Sequence, residues 1–217
     1  MRVSKTAARS YKKGLAFLKQ DNYGNALEAF TKSIRLSPNN ADVYGDRAEV
    51  YYHFKDYDKA IADHTKRIEL NPESAESYCF RGDAYFNKED YDSAIADYTE
   101  AIRQYPDYVG AFYRRGEVLS AIEQFDEAIK DFTEVIRLLP EYIDAADVFY
   151  HTKVDSNFKE AFRKRGKMYG MLGEYDKAIA DYVTALALAT GEELREEIAE
   201  SIEAAKKKYR RICDEGF

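Results

Sequence analysis

The sequence predicts an all-α protein, a solenoid of five helical hairpins closed by a C-terminal capping helix. Two observations carry this expectation. One phrase recurs along the chain: YGNALEAFTKSI from Tyr23, YDKAIADHTKRI from Tyr57, YDSAIADYTEAI from Tyr91, FDEAIKDFTEVI from Phe125 and YDKAIADYVTAL from Tyr175. The first four copies start 34 residues apart, a period that marks one structural element stacked on copies of itself. Within each period, apolar residues recur at helical spacings of three and four, in two stretches of about 14 residues divided by a polar turn such as FKDYD or NKEDYD.

The repeats run at about 7–40, 41–74, 75–108, 109–142 and 159–192. The first helix of each carries a small residue, Gly14, Ala48, Gly82, Gly116 or Gly166, three positions before a large one at Phe17, Tyr51, Tyr85, Leu119 or Tyr169. A side chain no larger than a methyl lets two helix axes approach, and the neighbouring rings fill the space. The second helix carries Ala26, Ala60, Ala94 and Ala128, then the ring column Phe30, His64, Tyr98 and Phe132. Asp56 and Asp90 stand where second helices begin, suited to accept from their first N–H groups. Pro38, Pro72, Pro106 and Pro140 stand where those helices should end.

Two segments depart from the period. Residues 143–158 are an insertion of 16, expected to add a short helix that buries Val148, Phe149 and Tyr150 before a new helix starts near Asn157, with Glu160 completing an N-terminal capping box. Residues 192–213 form the capping helix, whose apolar face is Leu194, Ile198, Ile202, Ala205, Tyr209 and Ile212. An open stack needs such a cover for its last apolar face. The acidic start and basic KKKYRR end of this helix complement its dipole.

Bulk properties narrow the function. A formal charge of -7 opposes binding to nucleic acid, which requires clustered Lys and Arg. No apolar run approaches the ~18 residues of a membrane span, and no apolar segment follows the basic residues of MRVSKTAARSYKKG. A single cytoplasmic domain over 1–217 is expected, without membrane attachment. Cys79 and Cys213 lie in no metal-binding pattern and read as free thiols. Phosphate loops, nucleophile elbows and zinc-protease motifs are absent from the sequence, so no catalytic residue, metal or cofactor is expected. His64 falls in the ring column and reads as a packed histidine with one nitrogen bonded; His53 projects from a first helix and could touch a partner. Arg47, Arg81, Arg115 and Arg165 each have an aspartate 16 residues later, at Asp63, Asp97, Asp131 and Asp181. The first repeat has Lys13 and Ala29 instead, so arginine and aspartate are lost together, as expected for ion pairs that join helices.

These columns resemble the tetratricopeptide repeat (TPR) family; in the third repeat the family pattern reads Tyr78, Gly82, Tyr85, Ala94, Tyr98 and Pro106. The resemblance implies a right-handed superhelix whose first helices line a concave groove that holds a protein or peptide. Carried onto this sequence, the groove has Asp42, Asp46, Glu49, Tyr52 and His53, then Glu76, Phe80, Asp83 and Phe86, then Tyr113, Arg114 and Glu117, then Arg163, Lys164 and Lys167. Its middle is acidic and aromatic, with basic ends that include Lys12 and Lys19. The expected partner is a protein or peptide with basic and apolar residues, bound by a non-catalytic scaffold or adaptor. The alternative is a self-association module that forms homo-oligomers. Family members that clamp the acidic tail of heat-shock chaperones use Lys, Asn and Arg at positions that here hold Tyr11, Leu15, Asp46, Glu76 and Phe80, which disfavours that ligand.

Overall fold

The computed structural model describes residues 5–145, 151–189 and 191–215. The chain divides into two compact units, Met1–Pro106 and Asp107–Phe217. In the first, α1 (Lys5–Leu18), α2 (Tyr23–Leu36), α3 (Ala41–His53), α4 (Tyr57–Leu70), α5 (Ala75–Asn87) and α6 (Tyr91–Gln104) follow one another, each packed on the next. In the second, α7 (Val109–Ala121), α8 (Phe125–Ala145), α9 (His151–Met171), α10 (Tyr175–Leu188) and α11 (Glu192–Glu215) do the same. The described residues contain no strand.

Every hairpin turns in the same way. The residue two positions before the opening aromatic takes left-handed backbone: Asp21 (φ 53), Lys55 (φ 59), Glu89 (φ 62), Glu123 (φ 62) and Gly173 (φ 79). The following N–H then reaches back to the first helix, as from Asp56 to the Tyr51 carbonyl (2.9 Å) and from Asp90 to that of Tyr85 (3.0 Å). This satisfies carbonyls that the helix end would leave open. The Asp56 and Asp90 carboxylates accept from the N–H groups of Lys59 and Ser93, and so begin α4 and α6 where the sequence places them.

The small column is a steric requirement. A methyl added to Gly82 would lie 2.8 Å from the Tyr98 ring, and one on Gly116 would lie 3.1 Å from Phe132. Gly14 meets the ring of Phe30 in the same way. Only α3 carries a methyl here, Ala48, and only α4 carries an imidazole in the ring column, His64; both are buried. The smaller ring leaves room for the larger neighbour. Nδ1 of His64 has no hydrogen-bond partner, and burial, followed by the nearby Arg67 and Arg81, lowers the imidazole to about 3, so it stays neutral.

The arginine column forms the expected pairs. Arg47, Arg81, Arg115 and Arg165 each grip their aspartate with two bonds of 2.7–2.8 Å. A third donor ties in the preceding hairpin: Arg47 reaches Thr31 (3.2 Å), Arg81 reaches Thr65 (3.0 Å) and Arg165 reaches Thr133 (3.0 Å). One guanidinium thus holds three helices. The threonines recur in the repeated phrase and are readable in it. In the last copy Val183 replaces the threonine and is 51% exposed, and the position 16 residues later, which holds the arginine after Thr31 and Thr65, is Ala199 of α11.

Two expectations are corrected. The insertion lengthens both flanking helices: α8 continues through Pro140 to Ala145, and α9 starts at His151. Asn157 therefore lies inside α9 rather than at its start. The cause is local, since Leu139 replaces the Ser37, Asn71 or Tyr105 that ends α2, α4 and α6, and no Gly or Pro interrupts 151–165. Val148, Phe149 and Tyr150 lie outside the described residues. The second correction concerns α11. Ile198, Ile202 and Ala205 are buried and Leu194 is partly so, packed on the Tyr182, Ala185 and Ala189 cluster, but Tyr209 is 40% and Ile212 56% exposed. Less of the predicted apolar face is covered than the spacing implies, because the helix outlasts the surface beneath it.

Candidate functional site

In the first unit, α3 and α5 bring acids and rings together. Asp42, Asp46 and Glu49 are spaced by four and three, so they share one face of α3. Asp42 and Glu49 are exposed, and Asp46 is half-buried. Glu76, in the first turn of α5, accepts from Arg67 of α4 at 2.7 Å. Arg67 reaches it by crossing Gly45: a methyl on that glycine would lie 3.0 Å from the arginine side chain. At the equivalent position α1, α5 and α7 carry Tyr11, Cys79 and Tyr113. Arg67 is the residue that sequence reasoning missed, and Gly45 is the one signal that could have revealed it.

The acids influence one another. Burial holds Asp46 above the ordinary carboxylate range; Tyr11 and Arg67 oppose this, while Asp42 and Glu76 add to it. Glu49, exposed overall but with its carboxyl partly screened from water, is raised first by that desolvation and then by Asp46 and Glu76. Oδ2 of Asp46 is buried without a hydrogen-bond partner. On this face, among the described residues, four carboxylates meet one guanidinium.

Phe80 is 42% exposed and stacks over His64, with ring centroids 5.8 Å apart. Tyr52 is half-buried, edge-on to Tyr57, and accepts from Asn87 at 2.8 Å. Phe86 packs against Tyr91. Two expected groove residues are engaged by the fold itself. Asp83 is buried and accepts from the Tyr98 hydroxyl at 2.8 Å, so it forms an inner wall. His53 lies at the end of α3, stacked on Tyr23 at 3.6 Å.

The second unit is electrically different. Lys164 of α9 meets Glu117 of α7 at 2.9 Å and lies over the Tyr113 ring. Tyr113 packs edge-on against Phe132. Arg163 is bound by Glu160 (2.7 Å) and by Glu197 of α11 (2.6 Å). Arg114 and Lys167 are exposed. Most of the basic stripe is thus neutralised within the unit.

Among the described residues, no group of His, Cys, Asp and Glu could hold a metal ion, and no helix is long and apolar enough to cross a membrane. The family model described as "Tetratricopeptide repeat" matches residues 11–75 and 79–146. No curated protein matches the chain. Among solved structures the chain is similar to the crystal structure of MamA protein, at 20% identity over 97% of this chain and 95% of that one, with a TM-score of 0.66. It is also similar to YrrB, described as a TPR protein with an unusual peptide-binding site, at 18% identity, 89% and 92% coverage and a TM-score of 0.70. The first TPR of Spaghetti (RPAP3), bound to an HSP90 peptide, matches at 26% identity over 55% of this chain and 94% of its own, with a TM-score of 0.53.

Proposed function

Because this chain belongs to the tetratricopeptide repeat family, we propose that it is a non-catalytic interaction scaffold whose first-unit face binds a protein segment carrying Lys or Arg beside an apolar anchor. The observation that carries this reading is a group of four carboxylates within electrostatic reach of one another, Asp42, Asp46, Glu49 and Glu76, of which Glu76 is bonded to Arg67 and stands one helical turn before the exposed Phe80 on α5. A partly exposed ring one turn from an acid offers a seat for an apolar side chain, while the nearby negative charge selects cationic flanks. The aromatic contact would supply most of the affinity, and the charges the choice of partner and the association rate. Cys79 and Cys213 are not joined in a disulfide, which suits the reducing cytoplasm.

YrrB is described as having a peptide-binding site, and Spaghetti as bound to the HSP90 peptide SRMEEVD. An acidic tail of that kind is the wrong ligand for this face, where Asp46 and Glu76 would repel it. Titration calorimetry with two synthetic peptides, one alternating lysine and phenylalanine and one of sequence SRMEEVD, tests the reading. The basic peptide should bind and the acidic one should not. Phe80→Ala should weaken the basic peptide at least tenfold while the helical circular-dichroism signal persists. Equal binding of both peptides, or an unaffected Phe80→Ala variant, would contradict it.

A further inference from the structure

We infer that the segment this face receives is the C-terminal end of α11 from a second copy of the chain, so that copies join head to tail; the inference rests on the reading of the face given above. Three observations lead to it. The first is that α11 outlasts its support. Its packed residues end at Ala205, and Lys207 to Asp214 are exposed, a stretch about 12 Å long at helical rise. Contact with α10 there is slight: Lys208 lies 6.0 Å from the Tyr175 ring centroid, and the Tyr209 hydroxyl faces Asp176.

The second is chemistry. This end carries Lys206, Lys207, Lys208, Arg210 and Arg211 against Asp214 and Glu215, with Glu203 bonded to Lys206. Among them stand Tyr209 and Ile212, three residues apart on one helix face and both exposed. An apolar pair flanked by cations is the complement of an exposed phenylalanine one turn from Glu76, itself within electrostatic reach of Asp46 and Glu49.

The third is topology. The acidic face belongs to the Met1–Pro106 unit and the basic end to the Asp107–Phe217 unit, so each copy carries both a donor and an acceptor. A contact between two different surfaces is heterologous, and it propagates from copy to copy unless a ring closes. The docking mode is an amphipathic helix laid into a groove.

A charge-swap experiment on the full chain tests this. A groove-reversed variant carries Asp42→Lys and Glu49→Lys, both exposed positions; a tail-reversed variant carries Lys208→Glu and Arg211→Glu. By sedimentation velocity at low salt, the wild-type chain should associate as its concentration rises and dissociate in high salt. Each variant alone should remain monomeric, because its groove and tail then carry like charge. Their equimolar mixture should associate again. A wild-type chain that stays monomeric at every concentration, or a mixture that stays monomeric, would overturn the inference. The face reading is kept separate by titrating the lysine–phenylalanine peptide into the monomeric tail-reversed variant. Binding there alongside a monomeric wild type would leave the face reading standing and sink self-association, and absence of binding would sink both.

Discussion

At the scale of single residues, the informative place is where the columns change together. Four hairpins set a glycine beneath a six-membered ring, and α3–α4 sets Ala48 beneath His64. His64→Phe should therefore overpack the hairpin and cost about 1–3 kcal/mol. Adding Ala48→Gly should recover most of that loss, although glycine in a helix ordinarily costs about 1 kcal/mol. Chemical denaturation of the two single variants and the double variant measures this, and simple additivity would contradict it. A pH signature goes with it. His64 is lowered from 6.5 to about 3 by burial, so below pH 6.5 the unfolded chain takes up a proton that the folded chain refuses. Stability from this residue is present above pH 6.5 and declines as pH falls toward 3. The double variant should lack that decline. This substitution is visible in the sequence because the columns keep a fixed spacing. Arg67 was not legible, because its role depends on a side chain crossing Gly45 from a neighbouring helix, and no spacing within one helix records that.

At the scale of elements, the sequence revealed what repeats and concealed what happens once. Caps, ring columns and Arg–Asp pairs stand at constant offsets, so one copy confirms another. The left-handed turn residues repeat too, and four of the five lack glycine. Glu89, at φ 62, bears the crowding that Gly173 avoids, so Glu89→Gly should stabilise the chain by about 1 kcal/mol. Gly173→Ala should destabilise it by a similar amount, and urea melts of both check the pair. The junction of α8 and α9 had no second copy to compare. Pro140 reads as a stop by the rule that serves Pro38, Pro72 and Pro106, yet Leu139 lets the helix continue and the proline forgoes one backbone bond. The end of α11 was misjudged for a related reason: helical spacing says which residues share a face, but not how far the neighbouring surface extends.

At the scale of the whole molecule, a net charge of -7 is a poor guide by itself, because its distribution is uneven. Ion pairs such as Lys164–Glu117 and Arg163–Glu197 neutralise one expected basic region, while Asp42, Asp46, Glu49 and Glu76 lie within electrostatic reach of one another and Arg67 is bonded to Glu76. Position along the chain identified these acids; which of them stay uncompensated required the fold. Asp46 and Glu49 are both raised, so they gain protons at a higher pH than ordinary carboxylates as the solution is acidified. Affinity for a cationic segment is therefore present above their raised values and is lost as pH falls through them. The most direct test is the affinity of the lysine–phenylalanine peptide for the tail-reversed chain, titrated from neutral pH downward beside its Glu49→Gln variant. The account predicts that affinity falls on acidification before ordinary carboxylates titrate, and that Glu49→Gln starts weaker and falls less. Affinity that is independent of both pH and Glu49 would contradict it.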